Sequence, residues 1–107
     1  MEIELNLKER LVLLGILPRK GDFLSLKLVM DLDNKIGFKA EDFEKYAISQ
    51  NEHGIKWNEE GSKAIFKYDL LAPEIALISK SLEELNGKNE LTFDHFSLYE
   101  KIVGVKT

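Results

Sequence analysis

The spacing of apolar residues changes twice along this chain, and that change limits the folds open to it. From about residue 7 to residue 46, apolar side chains recur three and four residues apart. From residue 47 to 70 they alternate with polar ones, and from Pro73 onward the wider spacing returns. The wider spacing marks helices with one buried stripe, and the alternation marks strands with one buried face. Helices, then strands, then helices make an α+β chain, not the regular alternation that builds a parallel sheet. At 107 residues, 44% of them hydrophobic, residues 1–107 have the length and apolar content of a single globular domain with one core.

Glu2 to Leu7 alternates, with Ile3, Leu5 and Leu7 on one face, as a short strand or an extended lead-in. Asn6 and Glu9 make a capping box for a helix over about 7–16, stopped by Pro18. Asp22 caps a second helix over about 22–36, whose apolar face is Phe23, Leu26, Val29, Met30, Leu32 and Ile36. Gly37 suits its left-handed end. A short third helix covers about 40–46, with Phe43 facing inward. Strands near 47–51 and 54–58 flank Asn51-Glu52-His53-Gly54 as a hairpin, and a third strand near 64–70 completes a three-stranded antiparallel sheet. Helices over about 73–86 and 93–103 follow. Leu91 staples against Phe96, and Phe96, Tyr99, Ile102 and Val103 form the buried side of the last helix. The tail 104–107 frays. The sequence displays no internal repeat.

Chemistry-bearing motifs were sought by spacing. The chain lacks cysteine, which removes disulfides, thiolate metal sites and cysteine nucleophiles. His53 and His95 form no metal-binding pair. Asp31-Leu32-Asp33-Asn34 fails as a calcium loop, because Lys35 stands where the third ligand belongs. Glycine-rich phosphate loops and nucleophile elbows are absent. Glu59-Glu60 and Glu83-Glu84 read as hydrated pairs. No catalytic, cofactor or metal residue is assigned, and the chain reads as non-enzymatic. A catalytic site shared across an oligomer interface would need a polar cleft holding Glu59, Glu60 or a histidine.

Fifteen basic residues stand against nineteen acidic ones, a net charge of −4. The third helix, the major-groove element if the helix–helix–helix–hairpin order were a winged helix, carries Glu41, Asp42 and Glu44 against Lys45. Nucleic acid is therefore a disfavoured partner, although a winged-helix-like DNA-binding regulator stays as the alternative. A further alternative turns the sign round: an acidic inhibitor of a nucleic-acid-binding or host-defence protein. No apolar run is long enough for a membrane span, and Met1-Glu2-Ile3-Glu4 lacks the basic start of a signal peptide, so a cytoplasmic location is expected.

Tyr46, Trp57, Phe66 and Tyr68 gather in or beside the expected sheet. Ile55 and Trp57 share one face, opposite Lys56, Asn58 and Lys67. If that aromatic face is open, Trp57, then Tyr46 and Tyr68, are the candidate partner-binding residues.

Three stretches together carry a family likeness: residues 9–18 (ERLVLLGILP), 54–58 (GIKWN), and Leu91-Thr92 with Leu98-Tyr99-Glu100-Lys101. They resemble small uncharacterised proteins of phages and prophages of low-GC bacteria. The resemblance implies a small accessory protein that binds a host or phage protein, in the host cytoplasm, without a cofactor. A homodimer is another arrangement open to it.

Overall fold

Ile3 and Leu5 alternate with Glu2 and Glu4, and that alternation becomes a strand, β1 (Glu2–Asn6), in the computed structural model, which describes residues 1–104. Asn6 then caps α1 (Leu7–Ile16), with Glu9 closing the box as expected. Asp22 caps α2 (Phe23–Ile36) through the Ser25 amide. There follow α3 (Ala40–Lys45), the hairpin β2 (Ser49–Asn51) and β3 (Gly54–Lys56), α4 (Glu59–Lys63), β4 (Ile65–Asp69), α5 (Ala72–Gly87) and α6 (Phe93–Ile102). The α+β class stands, and the helices expected at 7–16, 22–36, 40–46, 73–86 and 93–103 fall within a residue of their places at either end.

The three-stranded sheet does not form. The third expected strand, β4, pairs with β1 in an antiparallel ribbon, Ile3 opposite Tyr68 and Leu5 opposite Phe66. The hairpin is a separate two-stranded sheet. The cause is α4, a helix the alternation reading passed over. Asn58 accepts from the Gly61 amide and caps it. That short helix redirects the chain, so β4 leaves beside the N-terminus instead of beside β3. The hairpin strands are also shorter than 47–51 and 54–58, since Ala47 turns to a positive φ of 49° and Asn58 is committed to its cap. Gly37 is not left-handed (φ −57°). A side chain there would collide with the Asp33 carbonyl, which accepts from the Gly37 amide. The frayed tail expected at 104–107 lies, beyond Gly104, outside the described residues.

The structure also corrects the absence of a repeat. β1–α1–α2 and β4–α5–α6 are two βαα units. The ribbon joins them antiparallel, and each first helix packs against the other unit's second helix, α1 on α6 and α5 on α2. Core residues correspond in pairs: Leu5 and Leu70, Leu13 and Ile78, Leu17 and Leu82, Leu32 and Leu98, Ile36 and Ile102. Four of these five pairs are the same residue, but most of the positions between them differ, so the self-similarity does not surface in the sequence. Residues 37–64, carrying α3, the hairpin and α4, are inserted between the units and add nothing to that core.

Charged groups obey the same twofold arrangement. Glu9 and Glu74 sit at the third position of α1 and α5, where each accepts from the backbone amide at the strand end, Asn6 N–H (2.8 Å) and Leu71 N–H (2.8 Å). Each also accepts from a lysine in the last turn of the other unit's second helix: Lys101 Nζ to Glu9 (2.7 Å) and Lys35 Nζ to Glu74 (2.7 Å). The same ammonium groups donate to ribbon carbonyls, Lys101 to Glu4 (2.8 Å) and Lys35 to Asp69 (3.4 Å).

Burial raises the Glu9 pKa, but hydrogen bonds from Lys101, Asn6 and Ser97 together outweigh it, so the carboxyl titrates below its ordinary range. A depressed folded-state pKa contributes stability above the unfolded value, which disappears as pH falls through the folded value. Wild type should therefore lose stability more steeply on acidification below the ordinary glutamate range than Glu9→Gln does. Urea midpoints measured across pH 2–7 check this, and parallel curves would refute it.

Candidate interaction surface

One buried residue, Arg10, ties the inserted segment to the two units. Arg10 projects from α1 on the face shared with Leu7 and Leu13 and is only 3% exposed. Its guanidinium donates to the Ile36 carbonyl through Nε (3.2 Å) and Nη2 (2.9 Å), and through Nη2 to Gly37 O (3.2 Å) and Asp42 Oδ2 (3.5 Å). It also lies 4.2 Å from the Phe38 ring centroid and 4.4 Å from that of Phe66. A rigid planar fork serves all of these at once. Asp42 additionally accepts from the Lys39 amide (2.9 Å), so the clamp fixes the start of α3.

Fixing α3 opens a groove. Leu11 of α1, Phe38 and Phe43 around α3, and Ile48, Ser49, Gln50 and Ile55 of the hairpin line a space of about 180 Å³. Phe38 and Phe43 meet at a 6.2 Å centroid distance, tilted by 54°. Phe43 was expected to face inward, yet it is 48% exposed, and Ile55 is 40% exposed. α3 leaves the core before Phe43 can reach it, so the side chain lies on the groove wall instead.

The three aromatic candidates are not gathered on one open face. Tyr46 is buried at 6% exposure, its ring edge-on to Phe66 at 5.8 Å. Tyr68 is half-buried on β4 with its ring 6.0 Å from the Arg10 guanidinium, and burial pushes its phenol pKa up despite that cation. Trp57 is half-buried and does not share the Ile55 face. It precedes α4, where its indole N–H donates to Ser62 Oγ (3.1 Å) and its ring packs over Gly61. A Cβ at Gly61 would stand 3.0 Å from Trp57 Cδ1 and 3.2 Å from Leu7 Cδ1, so only glycine lets the indole lie that close. Trp57 therefore borders a different cleft, beside Lys8 and Ser62.

Glu59, Glu60, Glu83 and Glu84 are exposed, as hydrated pairs should be. Glu59 pairs with Lys63 on exposed α4, and Glu60 borders a shallow cleft with Lys45 and Lys63. His95 lines a cleft of about 370 Å³ with Glu84, Lys88 and Ser81, but its Nδ1 accepts from the Thr92 amide (3.0 Å) as part of the α6 cap. Asp33, from the rejected calcium-like run, binds Arg19 (2.9 Å). Among the described residues, no three histidine or acidic side chains converge as a metal-holding group, and no helix is long and apolar enough to cross a membrane.

Further apolar side chains stand in solvent along α2 and at the start of α6. Phe23, Leu24 and Met30 are exposed, as are Phe93 (92%) and Phe96 (60%). The expected burial of Phe23, Met30 and Phe96 is thus corrected: Val29, Leu32 and Ile36 seat α2, and Leu98 and Ile102 seat α6. Each helix crosses the core with only its later turns, which leaves the first turn beyond the edge; Met30, midway along α2, lies off the Val29, Leu32 and Ile36 stripe. The Arg10 clamp and the groove were missed at the sequence level. The available signal was a charged residue three positions from both Leu7 and Leu13 on an apolar helix face. Compared with known protein families, curated proteins and solved structures, the chain matches none.

Proposed function

We propose that this chain is a non-catalytic protein-interaction module: a small accessory protein of the phage type it resembles, binding a host or phage protein in the cytoplasm. The observation that carries this reading is the groove. Phe43 and Ile55 leave apolar surface in water beside a preformed, mostly apolar depression, and covering the remaining half of such a side chain contributes about 1 kcal/mol. The clamp beneath it keeps the walls in place, so little ordering remains to be done on binding. Occlusion or scaffolding of the partner is the mechanism that follows.

Affinity capture from a low-GC bacterial host, with wild type and Phe43→Asp side by side, tests this. A partner should be retained by wild type and lost with Phe43→Asp, while the urea midpoint of the variant stays near that of wild type. No partner above background, together with turnover of a small molecule, would overturn the reading. The DNA alternative has its own measurement. α3 presents Glu41 and Glu44, its Asp42 is held by Arg10, and the outer ribbon face carries Glu2 and Glu4. No mobility shift with duplex DNA is expected even at low ionic strength; a salt-dependent shift would reinstate that alternative.

A further inference from the structure

We infer that the groove receives a short extended peptide, which adds a third strand to the β2–β3 hairpin and seats one apolar side chain between Phe43 and Ile55. This rests on the interaction reading above and names the class of ligand. The first observation is the contrast between strand edges. Both edges of the β1–β4 ribbon have a lysine ammonium on a carbonyl, Lys101 on Glu4 and Lys35 on Asp69, which blunts them against further pairing. Among the described residues, the hairpin ends at β2 on one side and β3 on the other with no further strand.

The second observation is size. The hairpin is a two-stranded sheet with three residues per strand, Ser49–Asn51 on Gly54–Lys56, so a pairing segment need be only a few residues long. An edge of three residues spans roughly 10 Å, and the groove holds about 180 Å³. A stable dimer buries on the order of 800 Å² per partner, far more than this edge and groove offer, so a linear segment fits where a second copy does not. Chemistry narrows the ligand further. Leu11, Phe38, Phe43, Ile48 and Ile55 ask for a leucine, isoleucine, methionine or phenylalanine anchor. The strand edge asks for free backbone N–H groups on alternate residues.

The test is selection of a displayed random 12-residue linear peptide library on the full chain, followed by titration of the selected peptides. Enriched peptides should carry an apolar anchor among β-branched residues and shift the amide resonances of Ser49–Asn51 or Gly54–Lys56. N-methylation of alternate peptide amides should abolish binding, since it removes strand hydrogen bonds and leaves side chains intact. Ile55→Asp, at an exposed position, should weaken binding by about tenfold or more. No enrichment, peptides that ignore N-methylation, or equal binding to Ile55→Asp would overturn the inference. So would a concentration-dependent dimer abolished by Ile55→Asp. If Ile55→Asp still captures the cellular partner while no peptide binds the groove, the inference falls and the interaction reading stands; failure of capture with wild type, together with turnover of a small molecule, removes both.

Discussion

Arg10→Ala is expected to lower unfolding stability by about 3–5 kcal/mol, a large part of what a domain of this size possesses. The substitution strips the buried Ile36 carbonyl of two donors and Gly37 of one, and leaves a void between Phe38 and Phe66. Unsatisfied buried acceptors and lost cation–π contact act in the same direction. Arg10→Lys recovers little, because a single ammonium cannot span these carbonyls and lie flat on the rings. Urea denaturation gives the cost, and the amide resonances of residues 38–45 should shift most, since the clamp is what holds α3. An Arg10→Ala midpoint within experimental error of wild type would remove the clamp from the account.

Lys35→Met should be nearly as damaging, again about 3–5 kcal/mol. Glu74 is fully buried, and once Lys35 is gone its carboxylate retains one partner shown here, the Leu71 amide. Its Oε2 already lacks a hydrogen-bond partner among the described residues, so no second donor takes over. Lys101→Met in the other unit should cost less, because Glu9 keeps the Asn6 amide and a Ser97 hydrogen bond. Combining Lys35→Met with Glu74→Leu should restore most of the loss, apart from the roughly 1 kcal/mol of the α5 cap. Thermal or urea unfolding of the three variants gives the order. If Lys101→Met proved worse than Lys35→Met, the weight placed on residual partners would be wrong.

Helix starts were legible because their chemistry is local. Asn6 with Glu9, Asp22 and Thr92 satisfy amides two or three residues away, and no tertiary contact is needed to predict them. Asn58 is a cap of the same kind, yet it was read as the end of a strand, since Ile55 to Asn58 also fits an alternation. Four residues cannot decide between those two readings. The amphipathic faces of α2 and α6 were legible in type and not in extent. Periodicity marks Phe23 and Phe96 as apolar neighbours of the stripe, but where a helix passes beyond the core is set by the element it crosses.

Five of the six helices, their caps at Asn6, Asp22 and Thr92, and the acidic surface of α3 were settled by the sequence itself, since each depends on residues within about one turn of one another. Tertiary structure alone decided that β4 pairs with β1, that two βαα units share one core, and that Arg10, Glu9 and Glu74 go inside. It alone decided, too, that Phe43 and Ile55 stand exposed beside a groove while Tyr46 is buried and Trp57 and Tyr68 are half-buried. Strand pairing and the burial of charge are settled by competition among distant partners, and such competition leaves no spacing to read.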